Sequence, residues 1–396
     1  MAARQTFYAE SNTESTYSTD NVFQVKVTLA VTPDANSDYF VFGCALLKQS
    51  SGSQDTRAKL LNTTSAVTFN SVNIEFKDTS DYVSWFGATK ETFGVGPAEQ
   101  TYNLQYSTET AGAIASIKEA RILVLKKDAA DEYAESLGDS TATSGTPADK
   151  VTLTYTPASE GLYTFIFVAD MNVNSATGEF NAQLDIDGVV YAAQNPYVGD
   201  STTYRSVMGV VPNINLTAAS HTIKLQFASD GVNTTTIRNA KIIALRHSVM
   251  NAAQTVHQTT RQTRTATTYA DVTGATLTFT PAAVEHIHFA SSVIDNSGTS
   301  TSSWNQLLEG STVIAETLEE PVNTSGLYPF LTFYRKTLAA ASTTWAFQHK
   351  TESTATVGSD ELAIAIFQTA VSDTTIGGFD EYYSMFIGRI GEGACY

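Results

Sequence analysis

The sequence predicts an all-β chain built as three tandem β-sandwich, jelly-roll-like domains. Three observations carry the prediction. Apolar and polar residues alternate in short runs, the period of a strand with one face in a core and one in water. Clusters of Gly, Asn, Asp, Ser and Pro separate the runs, as turns between antiparallel strands require. The pattern is also written three times. Val27-Thr-Leu-Ala-Val-Thr-Pro33, Val151-Thr-Leu-Thr-Tyr-Thr-Pro157 and Ala275-Thr-Leu-Thr-Phe-Thr-Pro281 match, and their prolines are evenly spaced (157 − 33 and 281 − 157 both give 124).

The middle copy shows the elements most clearly. After Val151–Pro157 come Gly161-Leu-Tyr-Thr-Phe-Ile-Phe-Val168, Ala182-Gln-Leu-Asp-Ile-Asp-Gly-Val-Val-Tyr191 and His221-Thr-Ile-Lys-Leu-Gln-Phe227. Ile237-Arg-Asn-Ala-Lys-Ile-Ile-Ala-Leu-Arg246 closes the copy. The Asp-Gly at 187–188 sits at the bend of a hairpin. The other copies keep the order. Tyr39-Phe-Val-Phe42 and His286-Ile-His-Phe289 match Tyr163–Phe167, and Lys59-Leu60 and Gln306-Leu307 match Gln183-Leu184. Thr101–Tyr106 and Thr344–His349 match Thr222–Phe227. The closing strands are Ala120-Arg-Ile-Leu-Val-Leu125, Ala240-Lys-Ile-Ile-Ala-Leu245 and Glu361-Leu-Ala-Ile-Ala-Ile366. A repeat this long is a domain able to bury a core of its own, not a thin solenoid unit.

These landmarks divide the chain into residues 1–127, 128–250, 251–375 and a tail, 376–396. Tyr8-Ala-Glu-Ser11 recurs as Tyr133-Ala-Glu-Ser136, and Asp131-Glu-Tyr133 as Asp380-Glu-Tyr382. At the corresponding place before copy three stands Val256-His-Gln-Thr259. The segment reads as the first strand of each sandwich, with the version in the tail left over. Phe379, Tyr382, Tyr383 and Phe386 of that tail then fold back on copy three, add to a neighbouring subunit's sheet edge, or stay free.

The 396 residues suit three domains of ordinary size, and an apolar share of 42% excludes a disordered chain. A net charge of −17 opposes nucleic acid or an anionic membrane as the main partner. The N-terminus has no apolar signal-peptide core and no run is long enough to span a bilayer, so synthesis in a cytoplasm is expected. Cys44 reads as a small core residue, and two cysteines build no disulfide framework. Residues 128–149 carry six acids and no Lys or Arg, whereas 231–270 carry Arg238, Lys241, Arg246, Arg261 and Arg264 and no acid. Either this is drift on solvated loops, or Arg246, Arg261 and Arg264 dock a basic segment on an acidic surface during assembly.

No catalytic constellation is present: neither Gly-x-Ser-x-Gly nor His-Glu-x-x-His nor a phosphate-binding glycine loop occurs. An enzyme, a cofactor and a bound metal are therefore not expected. Asp170-Met-Asn-Val-Asn174 groups three oxygen side chains but lacks the glycine and distal Glu of a calcium loop. His286 and His288 share one side of a strand without a third zinc ligand nearby. Tyr191, Tyr197 and Tyr204 lie in loop-like sequence, where a ring either packs into a turn or stacks on a sugar.

The middle copy resembles jelly-roll carbohydrate-binding modules. Gly161–Ala169, Leu184–Gly188, Leu216–Leu225 and Ile237–Ile242 carry the likeness. It implies the fold and transfers no sugar-binding residue. The whole chain looks like a tailed-phage virion protein in its tandem sandwiches and its Thr-, Ser- and Ala-rich surface. That likeness implies a capsid decoration or tail-fibre component, located in the virion. Its partners would be other virion structural proteins and further copies of itself, with a host glycan as the alternative ligand.

Overall fold

The computed structural model describes residues 4–51, 54–76, 79, 81–175, 178–196, 203–250, 253–298, 301–319, 326–353 and 355–369. The chain is all-β, in three sandwiches. Copy one holds β1 (Thr6–Ser11), β2 (Ser15–Tyr17), β3 (Gln24–Val31), β4 (Ser37–Gln49), β5 (Asp55–Asn62), β6 (Val67–Glu75), β7 (Val83–Phe93), β8 (Gln100–Thr108) and β9 (Ala115–Lys126). Copy two holds β10 (Glu132–Ser136), β11 (Ser140–Ala142), β12 (Ala148–Tyr155), β13 (Gly161–Val173), β14 (Phe180–Ile186), β15 (Val189–Gln194), β16 (Arg205–Leu216), β17 (His221–Ser229) and β18 (Thr235–Arg246). Copy three holds β19 (Gln254–Gln258), β20 (Gln262–Arg264), β21 (Ala270–Phe279), β22 (Glu285–Asn296), β23 (Ser303–Glu309), β24 (Thr312–Glu319), β25 (Tyr328–Thr337), β26 (Thr343–Thr351) and β27 (Val357–Gln368).

Each copy pairs a five-stranded sheet with a four-stranded one. The larger sheets run β1-β9-β4-β7, β10-β18-β13-β16 and β19-β27-β22-β25, with β2, β11 and β20 also on the closing strand. The smaller run β3-β8-β5-β6, β12-β17-β14-β15 and β21-β26-β23-β24. The repeated first segment is an edge strand on the closing strand of its own copy. In the β14–β15 turn both Asp187 and Gly188 have positive φ, 54° and 84°, which a two-residue hairpin needs.

Strand pairing shifts two of the sequence matches by one residue. Cys44 pairs Arg121, Val168 pairs Lys241 and Ser291 pairs Ala363. Ala120 and Ala240 therefore correspond to Leu362, not to Glu361. Likewise Tyr8, Tyr133 and Thr255 face Leu123, Ile243 and Ala365, so Thr255, not Val256, holds the tyrosine position. A β-bulge shared by all three closing strands marks the register, with Glu119, Asn239 and Glu361 at φ of 51°, 51° and 50°.

Between the two sheets of each sandwich lies a core of its own. Val41, Trp85, Tyr102 and Ile122 belong to that of copy one. Phe165, Leu184, Leu225 and Ile242 belong to that of copy two, and Trp345, Phe347, Leu362 and Ile364 to that of copy three. A fourth core joins the copies. The opposite faces of the three large sheets meet in one cluster containing Phe42, Phe86 and Leu123, then Ile166, Met208 and Ile243, then Phe289, Leu331 and Ala365. These are matching positions: Phe42, Ile166 and Phe289 each face the corresponding residues of the two flanking strands. The large sheets are thus buried on both faces, so the ends of β9, β18 and β27 are buried without interruption. Each large apolar side chain there contributes roughly 1.5–3 kcal/mol.

The contacts close into a ring. The loop before β7 bonds the edge strand β24 through Tyr82 N–H to the Leu318 carbonyl at 2.8 Å, with the return bond at 3.3 Å. The loop before β16 reaches copy one, Tyr204 N–H to the Asn73 carbonyl at 3.1 Å. The residue before β25 reaches copy two, Leu327 N–H to the Asn195 carbonyl at 3.4 Å. Copy one contacts three, two contacts one and three contacts two. One polypeptide thereby reproduces the head-to-tail closure of a cyclic trimer.

Candidate functional site: the seams between the copies

A cation inside an apolar strand cannot stay unpaired, and two closing strands carry one. Arg121 is 2% exposed and extends from copy one into copy three. Its guanidinium donates to Thr332 Oγ1 at 2.7 Å and to the Ile314 carbonyl at 2.9 Å, while Glu10 lies 3.4 Å from its Nε. Lys241, at the same place in copy two, donates to Asn70 Oδ1 at 2.9 Å and to the Phe69 carbonyl at 3.3 Å in copy one. The third equivalent is Ala363. A second repeated contact lies at the bulge: Lys118 sits 3.9 Å above the Tyr82 ring and Arg238 3.6 Å above that of Tyr204. Asp360 takes this place in copy three, where burial pushes its carboxyl up to about 6.

The bulge residues meet three different environments. Asn239 donates to Asp170 Oδ2 at 2.8 Å, and Glu361 lies 3.2 Å from His257 Nε2. Glu119 accepts from the Glu316 backbone N–H, while its Oε2 is buried without a hydrogen-bond partner. Burial pushes this carboxyl up to about 7 against the pull of Arg121 and Lys118, with Glu316 adding to the rise. Glu119 borders a crevice of about 420 Å³ between copies one and three, lined also by Glu10, Arg121, Ile314 and Lys336.

At one end of the ring the connecting segments converge on Asp131. Its carboxylate accepts from the backbone of Arg246 at 3.0 Å and of Asp128 at 2.9 Å, and it pairs with Arg4. Arg4 also bonds the Lys126 carbonyl, and its own N–H donates to Thr369 at the end of copy three. Burial pushes the Asp131 carboxyl up and the Arg4 guanidinium down, while their mutual attraction works the other way.

The residues singled out from sequence fall as follows. Arg246 donates to Ser159 and Glu160 of its own copy, Arg261 forms a two-bond pair with Asp295 at 2.8 and 2.7 Å, and Arg264 bonds Thr268. Tyr204 packs on the core of copy one beneath Arg238, and Tyr191 packs half-buried on the core of copy two. Tyr197 and the tail residues Phe379, Tyr382, Tyr383 and Phe386 lie outside the described residues. Asp170 is buried and bonded to Ser206 and Asn239, and the Asn174 side chain accepts from Thr234. His286 bonds the Val284 carbonyl, whereas His288 is buried, stacks 4.1 Å from Tyr334 and leaves both ring nitrogens without a partner.

Sequence reasoning passed over Arg121, Asn70 and Glu119, and counted Lys241 only as one charge of a basic stretch. A signal existed for Arg121 and Lys241: each is a cation set directly against the apolar run that ends a closing strand. Asn70 and Glu119 sit in polar surroundings and gave none.

No protein-family model matches the chain, and no curated protein sequence does. Solved structures do. One, from an archaeal virus and described as a triple jelly roll, is 8% identical and covers 92% of this chain and 91% of its own, with a TM-score of 0.20. The infectious bursal disease virus Gt strain gives 7% identity over 98% of this chain and 89% of that one, at 0.21. The tandem CBM22 domains of Paenibacillus barcinonensis Xyn10C give 11% over 60% and 92%, at 0.17. The structural neighbours thus include viral jelly-roll proteins and a pair of carbohydrate-binding modules. They assign no residue of this chain a role.

Proposed function

We propose that the chain is a virion structural protein, a rigid three-lobed block that binds neighbouring virion proteins as a capsid decoration or fibre component of a tailed phage. The observation that carries this reading is the closed ring. The buried cations Arg121 and Lys241 and the Arg4–Asp131 pair all join one segment of the block to another. Such a block has its shape fixed before it meets a neighbour, which lowers the ordering cost of assembly. Assembly proceeds through the tail and the basic segment. Deleting residues 376–396, or replacing Arg264 with Glu, is expected to weaken it at low salt while the isolated block stays folded; replacing Arg261 as well also removes the partner of Asp295, so that variant is read together with its melting temperature. The deciding experiment is purification of intact particles: the protein is expected on them in a fixed copy number, and its absence from them ends this reading.

A second reading, a carbohydrate-binding protein, is favoured by the outer sheet face of copy three. There Trp304 and Tyr269 flank Lys350 at 4.7 and 4.3 Å, beside a ladder in which Gln306 donates to Gln348 and Gln348 to Asp271. Glycan-array binding that disappears in Trp304→Ala would support it.

A further inference from the structure

The contact between Lys241 and Asn70 differs in kind from the other seam contacts. Both side chains are 1% exposed, one from copy two and one from copy one. Lys241 Nζ lies 2.9 Å from Asn70 Oδ1, and the same oxygen accepts the Ala88 backbone N–H at 3.1 Å. Two donors therefore converge on the amide oxygen, which also fixes the amide's orientation. Its nitrogen, Nδ2, is buried without a hydrogen-bond partner. The Asn70 side chain lies over Gly87, where a Cβ would stand 2.9 Å from Asn70 Cβ and 3.1 Å from Cγ. Glycine at 87 is thus needed for the amide to sit where it does.

This is the arrangement of an amine nucleophile beside a polarised acyl carbon. Burial pushes the Lys241 amine down to about 8, so a usable fraction is neutral near pH 7. The Ala88 N–H points at the oxygen on which negative charge would develop during attack. Asp170 and Glu135 are the carboxylates whose charge acts on the amine. Water is excluded, and the two reacting groups are held together by the fold. At the corresponding places the other seams have Arg121 with Ala315 and Ala363 with Ala192, pairs that cannot react this way.

We propose that Lys241 and Asn70 join in an isopeptide bond that the chain forms within itself, locking copy two to copy one. The neutral Nζ attacks Asn70 Cγ, a C–N bond forms, and the Cγ–Nδ2 bond breaks. The proton shed by Nζ ends on Nδ2, and ammonia leaves. Each amide lost is replaced by one formed, and no oxidant or other reactant is needed.

The test is the mass of the intact full-length protein, measured after denaturation so that no variant need be compared for folding. The expected mass is that of the sequence less one ammonia, with a single branched peptide containing both residues after digestion. Lys241→Arg and Asn70→Ala should each restore the full sequence mass for that variant. The proposal is overturned if the native chain keeps its full mass after prolonged incubation at about pH 9, where the amine is neutral. It is equally overturned if the missing ammonia maps to any other residue.

Discussion

Glu119→Gln separates the electrostatics of the copy one–copy three seam from its packing, because the side chains have nearly the same shape. In the folded chain the carboxyl's pKa rises from its ordinary 4.5 to about 7. At about 1.4 kcal/mol per pH unit, ionising it inside the seam costs about 3–4 kcal/mol. The sign follows from the direction of the rise. A carboxyl raised on folding carries no penalty below its unfolded value, and stability is lost as pH climbs from about 4.5 through about 7. The glutamine variant has no such loss. Urea unfolding at about pH 4.5 and about pH 8 should therefore show near-equal midpoints for the two proteins at the lower pH. At the higher pH the variant should be more stable by up to about 3–4 kcal/mol. Arg121, Lys118, Glu10 and Glu316 remain in both proteins, so the comparison isolates the Glu119 carboxyl. An equal difference at both pH values would refute the reasoning, since a packing effect does not titrate.

Other perturbations test other parts of the ring. Phe42→Ala, which removes a ring 5.4 Å from Phe289, should cost about 3–5 kcal/mol and move the melting of all three copies together, as read by calorimetry. Asp131→Ala leaves Arg4 buried and unpaired and should cost about 3–5 kcal/mol, while the double variant with Arg4→Met should recover much of it. His288→Phe supplies what copy two has at the matching place, Phe165, and removes two unbonded nitrogens, so it should stabilise by about 1–3 kcal/mol. Because burial holds the His288 imidazole well below 6.5, the unfolded chain takes up a proton the folded one refuses; the gain should widen as pH falls below about 6.5 in thermal melts.

Much of the fold was legible because strand period and turn chemistry are local. Evenly spaced prolines and the Asp187-Gly188 turn are enough to place the sandwiches along the chain. The shared core was half legible. A closing strand such as Ile122–Leu125 is apolar at every position, which says that both faces are buried but not against what. The bulge was invisible: Glu361 looks like the start of an apolar run, and only pairing shows it to be the left-handed residue before that run. The seams were least legible, since Lys241 and Asn70 lie 171 residues apart and meet only when the ring closes. Basic residues noticed as a cluster in sequence, Arg246, Arg261 and Arg264, bond within their own copies because strand geometry, not sequence proximity, decides their neighbours.

The central claim is that three sandwiches share one core and behave as a single block. Scanning calorimetry of the full chain tests it most directly. One transition, with the calorimetric enthalpy equal to the van't Hoff enthalpy, is the predicted result. Three separable transitions, each insensitive to Phe42→Ala in another copy, would contradict it.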